Sequence, residues 1–140
     1  MVNINYKMHQ SGSSEHLDDT KELKIYCIYN ANGSLFGEIS YLWKKYTSKV
    51  KCSLCNITHN TFFEKLEWKK NVQKLKISLE TIHLNERSSN LMNITNSKAP
   101  CVILKNKDKY TILVNDAELD KMAGDVNSFF KVLNKRINQL

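Results

Sequence analysis

The run "CVILKNKDKYTILVND", Cys101 to Asp116, constrains the fold of this chain more than any other stretch. Two apolar, β-branched segments flank the polar "KNKDK", the pattern of two antiparallel strands joined by a turn. Pro100, the single proline of the chain, stands immediately before it.

The segments around this hairpin set the architecture. "LKIYCIYNA" is rich in β-branched and aromatic residues and is stopped by "NANGS", which predicts a strand running into a turn. Ser34 then stands as an N-cap before Leu35, Ile39, Leu42 and Tyr46, the spacing of an amphipathic helix. "THNTFFEKLEWKKNVQKL" predicts a second helix, with Thr61 and Glu64 at capping-box spacing and Phe62, Phe63 and Leu66 as its buried face; it could equally start a turn earlier, near Cys52 or Cys55. "KISLETIHL" reads as a strand with Ile77, Leu79, Thr81 and His83 on one face and Ile82 and Leu84 on the other. A helical turn around Leu91 and Met92 leads to Pro100, and after the hairpin Gly124 breaks the chain. Asp125 then caps a helix whose apolar residues are Val126, Phe129, Phe130, Leu133 and Ile137. Strand, helix, strand, hairpin and closing helix together predict an α/β architecture, a mixed sheet covered on both faces. Residues 1–20 are polar and aperiodic and are expected to form a flexible tail; residues 21–140 are expected to form one domain.

Size and composition narrow the functional classes. A chain of 140 residues with 41% hydrophobic and 25% charged residues builds a core without needing disulfides or metal. The net charge of +7 comes from scattered lysines and reads as a solvated surface. Basic stretches near Trp43, Tyr46 and Trp68 match none of the known recognition modules, so nucleic acid is not an expected partner. No run of about 18 apolar residues offers a membrane span, and the N-terminus lacks the apolar core of a secretory signal. The expected setting is cytoplasmic and reducing, where Cys27, Cys52, Cys55 and Cys101 read as thiols, catalytic groups or metal ligands. Cys27, inside a strand, reads as a small buried hydrophobe.

The chemistry concentrates in "KVKCSLCNITH", Lys49 to His59, which supports three readings. In disulfide exchange, Cys52 at a helix start, with Lys49 and Lys51 nearby, would be the thiolate nucleophile and Cys55 the resolving thiol. His59, one turn beyond Cys55, would tune the thiol or shuttle protons. Alternatively Cys52, Cys55 and His59 would bind zinc, with His83 or Cys101 as fourth donor. In the third reading the cysteines only pack, in a non-catalytic interaction domain. Other chemistries find no support: "NANGS" lacks the frame of a phosphate loop, Asn56 stands where haem attachment needs histidine, and Glu15, Asp18 and Asp19 lie in the polar tail. Cys–His nucleophilic catalysis using His83 lacks an orienting third group.

The element order, "CSLC" near a helix start, the proline in "KAPCVIL" and the terminal helix "DVNSFFKVLNKRI" resemble the thioredoxin-like superfamily over roughly Leu23 to Leu140. The resemblance implies a cis Ala99–Pro100 bond, with Ala99 and Pro100 forming the substrate-binding wall beside Cys52 and Cys55. It also implies a protein or low-molecular-weight disulfide or thiol as partner and no cofactor. Three departures stand against it. The helix from Ser34 to Tyr46 separates the first strand from the cysteines, Lys51 replaces the family's tryptophan, and Ser53-Leu54 replace its glycine-proline pair. "YNANGSLFGEISYLWKKY" with "CSLCNITH" is also similar to a group of small bacterial proteins, a likeness that assigns no chemistry.

Overall fold

A computed structural model of the chain describes residues 22–31, 52–60 and 64–140. Strands β1 (Leu23–Ile28), β2 (Ser78–Ile82), β3 (Cys101–Asn106) and β4 (Lys109–Val114) form one mixed sheet in the order β2-β1-β3-β4. β1 runs parallel to β2, from Lys24↔Ser78 to Ile28↔Ile82, and antiparallel to β3, from Leu23↔Asn106 to Ile28↔Cys101. A parallel pair needs a crossover, and the one between β1 and β2 contains helices α1 (Ser53–Thr58) and α2 (Leu66–Lys74). Helix α3 (Ser89–Thr95) joins β2 to β3; α4 (Asp116–Lys121) and α5 (Val126–Asn138) follow the hairpin. Among the described residues no helix is long and apolar enough to cross a membrane.

The two central strands are apolar nearly throughout because both their faces are covered, whereas β2 and β4 at the edges alternate. One face carries Ile25, Cys27, Val102 and Leu104 against α1, α2, α4 and α5; the other carries Ile28, Ile82, Cys101 and Ile103 against Leu91 of α3. Ile77 and Leu79 join the first cluster and Ile82 and Leu84 the second, the alternation expected of that strand. At the centre of the larger cluster Trp68, Phe129 and Phe130 pack with ring centroids 5.0–5.2 Å apart. Asp125 caps α5 by accepting the Ser128 N–H at 2.9 Å. The Ala99–Pro100 bond is cis.

Two expectations need correction. The helix expected from Thr61 is not continuous with the cysteines: α1 ends at Thr58, Glu64 forms an isolated antiparallel bridge with His59, and Lys65 is the N-cap of α2. Leu66 is 66% exposed. The buried stripe of α2 instead starts at Trp68 and continues through Val72 and Leu75, spacing that leaves Leu66 on the opposite side of the helix. Helix α4, which the strand pattern conceals, is announced by a capping box between Asn115 and Glu118. Arg136 of α5 anchors it, with one guanidinium nitrogen 2.9 Å from Glu118 Oε1 and 2.6 Å from the Leu113 carbonyl. The tail expected over residues 1–20, the helix from Ser34 to Tyr46, Lys49, Lys51, Phe62 and Phe63 lie outside the described residues.

Candidate functional site at the end of the central strands

β1 delivers three residues past its last sheet pair. The Tyr29 N–H donates to the Ile82 carbonyl at 2.9 Å, and the Ala31 carbonyl accepts the Leu84 N–H at 2.9 Å, so this segment is held in place beyond the strand. Asn30, between them, directs its N–H at Cys52 Sγ, 3.3 Å away.

Cys52 is the N-cap of α1, in extended backbone geometry, and its sulfur also accepts the Cys55 N–H at 3.3 Å. Serine, threonine or aspartate performs this capping in most helices. N-cap and N3 side chains lie side by side, which is why a capping box closes between them. Here the same proximity closes a Cys52–Cys55 disulfide with a Cα–Cα separation of 5.3 Å, inside the ordinary range. Both residues are buried, Cys52 at 7% exposure and Cys55 at 3%. The short helix behind them is fixed from several sides. Ser53 Oγ lies 3.4 Å from Asp116 Oδ1, and Leu54 and Ile57 are wholly buried. Gly124, at φ +79, brings its backbone against α1, where a Cβ would lie 3.5 Å from the Asn56 carbonyl oxygen.

The other end of α1 carries a hydrogen-bonded chain. Thr58 Oγ1, fully buried, lies 2.8 Å from the Tyr29 hydroxyl, 2.7 Å from His59 Nδ1 and 3.4 Å from the Cys55 carbonyl oxygen. The His59 ring meets the Tyr29 ring edge-on, centroids 6.0 Å apart, and the His83 ring tilts against Tyr29 at 5.1 Å. Burial holds the His59 imidazole below its ordinary proton affinity; the neighbouring Glu64 opposes this, and His83 and Lys69 reinforce it. Burial also raises the Tyr29 phenol, so that it stays a neutral donor across the physiological range. His83 Nδ1 is 2.9 Å from Glu86 Oε1, and the His83 N–H and ring together hold the Glu86 carboxylate below its usual range.

Of the residues singled out from sequence, Cys52 and Cys55 are covalently joined and His59 sits at the C-cap of the same helix. Ala99 and Pro100 precede Cys101, whose sheet partner is Ile28, and so lie at the end of the sheet from which Asn30 reaches Cys52. Cys101 does not face the pair: it packs with Ile28, Ile82, Leu91 and Ile103 on the opposite side of the sheet. Burial pushes its thiol up to about 11, with Arg87 and Lys98 drawing it down. The fully buried Cys27 thiol is raised further, again by burial first. Among the described residues no three His, Cys, Asp or Glu side chains converge as metal ligands. Tyr29, Asn30 and Thr58 escaped sequence reasoning. A buried tyrosine hydroxyl needs a partner, but nothing near Tyr29 in sequence names Thr58 as that partner.

Fold and site together define an α/β protein with a mixed four-stranded sheet among the described residues and a disulfide-bonded CxxC pair at the start of a buried helix. Comparisons with protein-family models, with curated proteins and with solved structures find no match to the chain.

Proposed function

We propose that the protein is a thioredoxin-like thiol–disulfide exchange protein with Cys52 as nucleophile and Cys55 as resolving thiol. The observation that carries this reading is the convergence of two main-chain N–H groups, from Asn30 and Cys55, on the Cys52 sulfur. Fixed donors aimed at one sulfur favour its anionic form once the disulfide opens, and the thiolate is the reactive species.

In the reducing direction the Cys52 thiolate attacks a disulfide R–S–S–R′, forming Cys52–S–S–R and releasing R′S⁻, which takes a proton from water. Cys55, giving its proton to solvent, then attacks the Cys52 sulfur; the Cys52–Cys55 bond forms and RS⁻ leaves. Two electrons pass to the substrate, and an external dithiol returns the pair to its reduced form. The partner is accordingly a protein or low-molecular-weight disulfide or thiol, and Ala99 and Pro100 would form the wall against which it docks.

Burial of both cysteines favours a second reading, a closed disulfide that only ties down α1. Two variants separate the readings, assayed on a small aromatic disulfide with dithiothreitol as electron source. Exchange predicts turnover above dithiothreitol alone, loss of that turnover in Cys52→Ser, and a mixed disulfide trapped on Cys52 in Cys55→Ser, seen by mass analysis. No turnover together with no trapped adduct would sink the exchange reading and leave the structural one.

A further inference from the structure

We propose that Thr58 is a two-position relay that couples the charge of His59 to the redox state of the Cys52–Cys55 pair. The inference rests on the exchange reading above and adds to it a positioning residue and a proton partner.

The argument is a count of protons. A threonine hydroxyl has one proton to give and two lone pairs to receive with. Thr58 Oγ1 faces a phenol at 2.8 Å, an imidazole nitrogen at 2.7 Å and a carbonyl at 3.4 Å. When His59 is neutral with its proton on Nε2, Nδ1 accepts the Thr58 proton, and Tyr29, whose oxygen receives from the Thr81 hydroxyl, donates into Thr58 Oγ1. The shorter His59 contact and the longer carbonyl contact fit that arrangement. When His59 is protonated, Nδ1 becomes a donor. Thr58 then receives from both Tyr29 and His59, and its own proton turns to the remaining acceptor, the Cys55 carbonyl. That carbonyl already accepts the His59 main-chain N–H at 2.9 Å. Protonation thus reverses the hydrogen bonding at Thr58 and directs a second donor at the main chain of the resolving cysteine, with a cation behind it.

Linkage makes the effect reciprocal. Reduction by a dithiol breaks the sulfur–sulfur bond and delivers two electrons. One protein sulfur takes a proton, the other remains a thiolate, and the reductant leaves as its disulfide with one proton surplus. Negative charge appearing at the pair favours the arrangement in which the Thr58 proton turns to the Cys55 carbonyl and His59 Nδ1 is the donor, so His59 takes up a proton as the thiolate forms. Among the described residues, charged and titratable groups around His59 include Glu64 after α1, Lys69 on α2 and His83 after β2, with the Tyr29 phenol after β1. His83 places a second imidazole against Tyr29, so the two rings are told apart with His59→Gln and His83→Gln.

The test is an NMR titration of the imidazole resonances of the full chain, as the disulfide and after dithiothreitol, with the thiol state verified by mass. The His59 midpoint is expected to be higher in the reduced protein by about half a pH unit, roughly a threefold change in proton affinity. Neutral His59 is expected as the Nε2–H tautomer. Thr58→Ser should preserve the redox-dependent difference and Thr58→Val should abolish it. If the pair opens and the midpoint does not move, or if neutral His59 carries its proton on Nδ1, the relay is wrong while exchange stands. If the difference survives in Thr58→Val, coupling passes directly through space and Thr58 has no such role. If the pair cannot be reduced in the folded chain, mass analysis shows it, and the exchange reading falls together with the relay.

Discussion

Reduction of the Cys52–Cys55 bond should leave this protein folded. The cross-link spans a sequence separation of only 3, so it removes little freedom from the unfolded chain. The chain-entropy relation gives about 2 kcal/mol for so short a loop, against about 3 for one of 15 residues. Opening the bond also lets the Asn30 and Cys55 N–H groups serve a thiolate, each net bond contributing about 0.5–1.5 kcal/mol. The two effects oppose each other, and the oxidised form should be more stable than the reduced by no more than about 2 kcal/mol, a small part of the 5–15 kcal/mol typical of a folded protein. Urea unfolding followed by far-ultraviolet circular dichroism, with and without dithiothreitol, measures the difference; with an m-value of about 1–3 kcal/mol/M the midpoint should move by roughly 2 M or less. The Cys52→Ala/Cys55→Ala double variant supplies a permanently open reference. A loss above about 4 kcal/mol, or unfolding on reduction alone, would refute the reasoning, because a bond on which the fold depends cannot cycle.

Three further outcomes follow from the same geometry. Phe129→Ala should cost about 3–5 kcal/mol in chemical unfolding, since the ring is wholly buried between Trp68 and Phe130. Cys27 and Cys101 should resist alkylation in the folded, reduced protein under conditions that label Cys52, both being buried with raised thiols; equal labelling of all four by timed mass analysis would contradict this. Because burial lowers the folded-state affinity of His59 for its proton, the unfolded chain binds that proton more readily. The stability from neutral His59 is therefore complete above the unfolded value of about 6.5 and lost as pH falls through the lower folded value. His59→Gln should flatten that acid limb in pH-dependent thermal unfolding, and an unchanged limb would show that His59 does not set it.

The fold was legible wherever one element carried its own periodicity. The hairpin shows as two β-branched runs, α5 as a stripe from Val126 to Leu133 behind the Asp125 cap, and β2 as an alternation that sorts Ile77 and Leu79 from Ile82 and Leu84. Legibility ended where a short helix buries residues on almost every side. In α1 five of six residues are buried, so no polar face marks a helical period and its end at Thr58 is invisible from "CSLCNITH". Helix α4 was missed for a different reason: the Asn115–Glu118 capping box lies directly against β4, and the strand pattern runs into it.

The site was legible as chemistry and illegible as geometry, and sheet register is the reason. Spacing alone brings Cys52 and Cys55 together, because three residues across a helix start place N-cap against N3. The partners Tyr29, Asn30 and His83 arrive through the sheet. Tyr29 reaches Thr58 from 29 positions away because β1 ends beside α1. Cys101 is the instructive case. It lies opposite Ile28, and opposed residues share a face, so it sits with the α3 cluster while Cys27, one place back, joins the cysteine pair in the larger core. A shift of one residue in the β1–β3 register would exchange those faces and turn Cys101 toward the larger core that holds the pair. A zinc set with Cys101, rather than His83, as fourth donor depends on that parity. No local sequence pattern contains it, since it is decided by how the hairpin docks against β1.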